Sequence, residues 1–462
     1  MYNKTYIISL VLFVILALGF ASCQKDFLNA KPNKALLVPE TLTDFQALLD
    51  NSSSVMNIVP YLNEVGTDDI YTSNSGLTSQ SQEIQNAYIW APKIFQERTS
   101  SDWNIPYQQV LYANIVLDGL KDFKADATTQ TQFNEIMGSA LFMRAFAFYN
   151  VAQEFAAPYN ATSANQALGI PIRLTSDVNE ISKRGTLQQT YDQIMNDLLK
   201  AVDLLPAVQA YKTRPTKASA LAMVARVFQT MENYKMAAQY ADLSLTSYNK
   251  LVDYNALNDT DAMPFPSSLP NGNDEVLFYS ALIYNGFISG SSPLTSIDTL
   301  LYKSYTSNDL RKTVFFNKMA DTLILFKGSY AVNGYEFGGL STNEVYLISA
   351  ECNARNGNTS NAMAALNTLL KTRWKTGTFI PYTANSPDDA LVQILKERRK
   401  ELVYRNTRWT DLRRLNKDPR FAVTLQRSIN GQIYTLPPND KRYVLPIPDD
   451  VISASGIEQN PR

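Results

Sequence analysis

The chain contains no histidine. That absence excludes the Ser–His–Asp triad, the Cys–His dyad and histidine-ligated zinc, since each depends on an imidazole. Cysteine is nearly absent too: Cys23 and Cys352 are the only two. A metal site built from four cysteines and a disulfide framework are therefore impossible. Cys352 sits beside Ala350 and Ala354 in a helical run and reads as a small core residue, with nothing to activate its thiol. Charge is sparse and balanced, at 18% charged residues and a formal net charge of −1, so no overall field recruits nucleic acid or anionic lipid. No Walker A loop, GxGxxG or GxSxG motif occurs, and Asn258-Asp259-Thr260-Asp261 lacks the rest of an EF-hand loop. No catalytic residue, metal or cofactor is assigned. Two carboxylates could still cleave a glycosidic bond without histidine, and Asp68-Asp69 is the candidate pair. Adjacent acids arise by chance among 43, however, and a solvated pair is the favoured reading.

What is present is a globular composition. Of 462 residues, 45% are hydrophobic, enough for one large helical domain or two closely packed lobes. Tyrosine and phenylalanine dominate the aromatics, at 26 and 21 against 4 tryptophans. Tyrosine-rich, weakly charged surfaces suit neutral polar ligands, because the ring face is apolar and the hydroxyl polar. Most of these rings must nevertheless pack a core.

The N-terminus has the anatomy of a secretory leader. Lys4 gives a small positive start, and 7–20 is an almost unbroken apolar run, too short for a spanning helix of about 20 residues. Ala21, Ser22 and Cys23 follow. A cysteine at that place resembles the bacterial lipoprotein pattern, in which the leader is cut before the cysteine and its thiol receives a diacylglyceryl group. Phe20 stands where the pattern usually has leucine. The expected layout is a signal peptide at 1–22, a lipidated tether at 23–40 containing Pro32 and Pro39, and a single domain at 41–462. Gln24-Lys25-Asp26 also resembles the short signal that sends such lipoproteins to the outer face of the outer membrane.

Helical periodicity runs through much of the mature chain. Apolar residues form one stripe over 133–155 and another over 187–205, which Pro206 ends. The segments 216–231 and 234–248, joined by the tight Glu232-Asn233 turn, place Leu221, Val224, Ala225 and Phe228 opposite Ala237, Ala241, Ser244 and Leu245. That spacing matches the 34-residue tetratricopeptide hairpin, where small residues let two antiparallel helices approach closely. A second copy lies at 344–370 around Gly357-Asn358, and 103–120 with 133–155 forms a looser third. Between the two clear copies, about 251–342 is broken by prolines and glycines with short β-like runs. Loop-rich insertions on a rigid support are where recognition tends to sit. Basic residues from Lys396 to Arg414 are interleaved with Glu397, Glu401 and Asp411, so the run is expected to be an ion-paired face, Glu397 meeting Lys400 and Glu401 meeting Arg398 or Arg405.

The order of features is similar to that of the SusD/RagB family of outer-membrane nutrient-binding lipoproteins. The resemblance rests on Cys23 followed by Asp26-Phe27-Leu28, on Trp103, Tyr107 and Ala113-Asn114, on Arg144-Ala145-Phe146, and on Gly169-Ile170-Pro171. It continues through Glu397 to Leu402, Arg408-Trp409-Thr410-Asp411-Leu412-Arg413-Arg414, Leu445-Pro446-Ile447-Pro448 and Gln459-Asn460-Pro461. Departures are Tyr404-Arg405-Asn406, where the family often has Phe-Glu-Gly, and the terminal Arg462. The resemblance implies a mainly α fold: a tetratricopeptide-like, SusD-like helical hairpin scaffold with a large irregular, loop-rich insertion containing short strands. It also implies a non-catalytic role: capture of a glycan, or in some members a peptide, for a SusC-type TonB-dependent transporter, with the outer membrane as anchor. Ligand contacts are expected from exposed aromatics, the candidates being Tyr71, Trp90, Tyr284, Phe287, Tyr330, Tyr335 and Trp374. A tetratricopeptide-type envelope adaptor without a small ligand, and a carboxylate glycosidase, are the alternatives.

Overall fold

In the computed structural model, residues 39–96, 98–290, 292–331 and 334–462 are described. The leader, Cys23 and most of the tether lie outside them. Thr41–Arg462 forms one compact unit. Its longer helices are α1 (Leu42–Leu49), α2 (Ser101–Asp122), α3 (Gln130–Phe155), α4 (Leu187–Leu204), α5 (Lys217–Thr230), α6 (Tyr234–Ser247), α7 (Thr342–Arg355), α8 (Thr359–Lys371), α9 (Pro387–Glu401) and α10 (Arg408–Leu415). Consecutive helices from α2 to α8 pack side by side as antiparallel hairpins.

Local chemistry sets the boundaries. Thr186 and Gln189 make a capping box at the start of α4, and Thr216 with Ser219 does the same for α5. Asn233 and Asn358 cap α6 and α8, and Ser386 followed by Pro387 opens α9. These side chains satisfy amide donors that the first helical turn leaves open. Gly357, at φ +83°, makes the α7–α8 turn in left-handed backbone that a side chain would strain.

Small residues decide how closely the hairpins approach. Ala237 and Ala241 of α6 are fully buried against α5, and the Ser244 hydroxyl donates to the Ala218 carbonyl at 2.9 Å. Family-like polar residues act as rivets. Arg144 on α3 donates twice to Asp197 on α4 at 2.8 Å and once to Asn114 on α2 at 2.9 Å, so one guanidinium joins three helices. The segment 248–341 intervenes between α6 and α7, yet those two helices pack directly, with the Ser349 hydroxyl donating to Asp242 at 2.6 Å. The scaffold is therefore continuous in space although interrupted in sequence.

The insertion holds short paired strands rather than a large sheet. Val276–Phe278 pairs with Leu340–Ser341, Thr295–Ile297 with Ile70–Thr72, Phe316–Ala320 with Leu323–Phe326, and Ala281–Leu282 runs parallel to Ile58–Val59. Phe278 from this layer meets Phe142 and Phe146 of α3 edge-on at 4.8 and 5.3 Å, which ties the insertion into the main apolar core.

The basic run is a correction to the sequence reading. Glu397 does meet Lys400, at 3.1 Å. Glu401, however, pairs with neither Arg398 nor Arg405. It accepts from Arg373 at 2.7 Å and Arg311 at 3.1 Å, and Arg373 also reaches Glu275 at 2.8 Å while Arg311 reaches Asp309 and Glu397. All are buried. The expected surface face is instead an internal charge network between the insertion and α9. Helical spacing showed which residues share a side of α9 but not that an arginine from the insertion would arrive there. Arg405, at the family departure, lays its guanidinium 3.3 Å from the Tyr330 ring centroid. Asn406 takes φ +56°, left-handed backbone that asparagine tolerates better than most side chains.

Candidate functional site

Two tyrosines stand out of an otherwise interior layer. The parallel pair Ile58–Val59 and Ala281–Leu282 is extended by Phe337, which bridges Ala281. Ile283 N–H donates to Val59 O and Leu282 N–H to Glu336 O, both at 2.8 Å. This ribbon carries Tyr284 and Tyr335 to the surface, 58% and 37% exposed. Their ring centroids lie 5.2 Å apart with an interplanar angle of 56°. Gly334, at φ +77°, makes the bend just before Tyr335. The Ser329 hydroxyl fixes the Tyr335 carbonyl at 2.8 Å and the Ser289 hydroxyl fixes that of Gly334 at 3.2 Å. The result is a rigid aromatic ledge with solvent on its outer face.

The ledge has a polar underside. Glu336 is buried, and one carboxyl oxygen accepts from Gly290 N–H at 2.7 Å. Burial pushes its carboxyl up to about 8, against that hydrogen bond and the charge of Arg405. The Asn285 side chain, next to Tyr284, lies beside the Tyr61 side chain. The loop holding Tyr61 is clamped by two acids: Asp102 on α2 accepts from Tyr61 and Leu62 N–H at 2.7 and 2.9 Å, and Glu154 on α3 accepts from Asn63 N–H at 3.2 Å. The ledge is thus held by the helical scaffold through one short loop. Neutral hydroxyl and amide groups around two tilted aromatic faces suit a polar, uncharged ring such as a sugar, whose C–H face stacks on tyrosine while its hydroxyls hydrogen-bond.

The other expected platforms are placed differently. Trp90, Phe287, Tyr330 and Trp374 are core residues, all under 9% exposed, and offer no face to a ligand. Trp90 donates its indole N–H to Gly66 O at 2.9 Å, and Phe287 sits edge-on to Tyr88 at 5.9 Å. Tyr330 donates to Glu275 at 2.5 Å, and Trp374 packs between Phe379 and Tyr382. A position in a loop-rich insertion says little about exposure when the insertion has its own core. Tyr71 is half-buried in a ladder with Ser296, its hydroxyl donating to the Thr322 carbonyl. Asp68 and Asp69 are not a solvated pair either. Arg408 grips Asp68 at 2.7 and 2.8 Å, and Arg399 holds Asp69 at 2.9 Å. Burial alone would raise Asp68, but Arg408 outweighs it and holds the carboxyl low. Neither acid is free to act on a substrate. Sequence reading missed the cleft around Tyr211, Lys212 and Tyr248; a tyrosine beside basic residues after the helix-ending Pro206 was the available signal. Among the described residues no acidic or cysteine cluster is placed to hold a metal ion, and no helix is long and apolar enough to cross a membrane.

Residues 26–228 match a family model described as "Starch-binding associating with outer membrane", and residues 342–462 match the SusD family model. The chain is 24% identical to SusD-like protein P2 of Formosa agariphila over 88% of this chain and 90% of that protein. Among solved structures it resembles a putative sugar-binding protein from Bacteroides vulgatus, with TM-score 0.73, 20% identity, and 92% and 99% of the two chains covered. It also resembles the surface glycan-binding protein A from Bacteroides fluxus, with TM-score 0.68, 17% identity, and coverage of 92% and 100%.

Proposed function

The chain belongs to the SusD/RagB family, and from that premise we propose that it is a surface lipoprotein that binds a glycan or similar nutrient and delivers it to a SusC-type TonB-dependent outer-membrane transporter. It carries out no chemistry on the ligand. Cys23 is the lipid attachment point after a leader at 1–22, the tether at 23–40 joins anchor to domain, and the protein faces the cell exterior. The observation that carries the reading is the exposed Tyr284–Tyr335 pair: two adjacent tyrosines held at the surface by a rigid ribbon are hard to explain as packing, because their burial on folding is incomplete. The relatives described as sugar-binding or glycan-binding support the ligand class.

The test is a binding screen of the purified protein against neutral polysaccharides and oligopeptides by affinity electrophoresis and calorimetry. A binder released intact supports the reading. Tyr284→Ala and Tyr335→Ala should each weaken it by about two- to twelvefold, the loss of one aromatic contact of about 0.5–1.5 kcal/mol, without moving the thermal midpoint. Binding unaffected by both substitutions would displace the site from the ledge. Silence across the panel would favour the adaptor reading, and cleavage of a bound glycan would end the non-catalytic one.

A further inference from the structure

A cleft lies where the α4–α5 connection meets the end of α6 and the start of the insertion. It has a volume of about 300 Å³, within the range of small-ligand sites. Its walls are pinned. Lys212 N–H donates to Pro270 O at 3.1 Å and Lys212 O accepts from Tyr279 N–H at 2.7 Å, so the backbone of the basic segment is fixed on both sides. The Tyr248 hydroxyl donates to Asp274 O at 2.8 Å, which fixes that ring. Arg214 is held bidentate by Asp50 at 2.9 and 2.6 Å and lies 5.4 Å from the Tyr211 ring centroid. Tyr211 is 48% exposed and Val208 80%, which leaves ring and isopropyl surface open to a ligand.

The charges do not balance. Arg214 is matched by Asp50, and Lys250 by Asp274 at 3.4 Å. Lys212 is half-buried and has no carboxylate partner among the described residues. Its ammonium rests 5.1 Å from the Tyr248 ring centroid, with Lys250 at 5.9 Å from the same ring. Burial lowers its proton affinity, Asp274 opposes this, and Lys250 adds to it. A half-buried ammonium outside any close ion pair is stabilised by an anion that enters, more strongly than a solvated surface lysine would be.

We propose that this cleft is a second binding site, selective for an acidic sugar unit carrying a carboxylate or sulfate, which stacks its C–H face on Tyr211 and places its anion on Lys212. The sugar part of this assignment rests on the glycan-binding reading above; the anion part does not. Two sites of different charge preference would let the protein grip a mixed neutral and acidic glycan at two points, raising avidity without a new contact at the ledge.

The experiment titrates the protein with glucuronic acid, galacturonic acid and galactose 6-sulfate against methyl glucoside, followed by NMR and calorimetry, with inorganic sulfate as a competitor. At least one acidic sugar should bind more tightly than methyl glucoside by about tenfold or more, weaken with added salt, and lose that advantage in Lys212→Met, which keeps the aliphatic stem. Tyr211→Ala gives an independent readout should Lys212→Met fail to fold: it should weaken sugar acids but not inorganic sulfate. The double variant Tyr284→Ala/Tyr335→Ala should keep acidic-sugar binding, which separates failure here from failure of the ledge. Equal binding of acidic and neutral sugars, no binding of any acidic sugar, or inorganic sulfate binding as tightly as the sugar acids would each overturn the proposal.

Discussion

Asp102 and Glu154 are fully buried, and neither forms an ion pair among the described residues. Each spends one oxygen on the backbone amides of the 61–63 loop, and the second oxygen of each is buried without a hydrogen-bond partner among the described residues. Burial, with Glu83 nearby, pushes Asp102 up to about 7 and Glu154 well above its ordinary value. Because the folded value lies above the unfolded one, the stabilisation is complete below about pH 4 and is lost as pH rises through 7. Glu351 is the opposite case: Arg414 overcomes burial and holds it at about 2, so its contribution is lost as pH falls from 4.5 through that value. The thermal midpoint should therefore peak at mildly acidic pH and decline towards pH 8. Asp102→Asn, which keeps the acceptor for both amides, should flatten the decline between pH 4 and 7; an unchanged slope would show that Asp102 is not held protonated in the fold.

At the scale of elements, the α5–α6 hairpin depends on small side chains rather than on a strong apolar stripe. Ala241 is fully buried where the two helices touch. Ala241→Leu should force them apart and cost about 1–3 kcal/mol of unfolding free energy, read as a lower denaturation midpoint. Leu243, 44% exposed on the outer face of α6, supplies the control: Leu243→Ala should change stability by no more than about 0.5 kcal/mol. A destabilisation of similar size at both positions would mean that the hairpin is not closely packed.

Across the whole molecule, the insertion and the C-terminal helices behave as one body because charges cross between them. Arg373 joins Glu275 of the insertion to Glu401 of α9, all three with side chains 0% exposed. Removing it leaves two buried carboxylates short of a partner. Arg373→Met should cost about 3–5 kcal/mol and lower a single cooperative transition. Loss confined to the insertion, with α7–α9 unfolding at the unaltered midpoint, would show that the network does not couple the two regions.

Local pattern was enough to mark most of the long helices and the two clear hairpins, α5–α6 and α7–α8. Caps, small-residue spacing and apolar periodicity act within a few residues, so α4, α5, α6 and the α7–α8 turn were all legible from local pattern, and a family-like order of motifs named the scaffold. Exposure was decided only by the tertiary structure. Tyr284 and Tyr330 both lie in the insertion among prolines and glycines, yet one ends on the ledge and the other deep beneath Arg405. The same limit hid the partner of Glu401, because Arg373 and Arg311 reach it from distant parts of the chain. It also hid the cleft at Lys212, whose unpaired charge exists only because Asp50 takes Arg214 and Asp274 takes Lys250. Burial and charge balance are sums over neighbours brought together from far along the chain, and a local pattern carries no record of those neighbours.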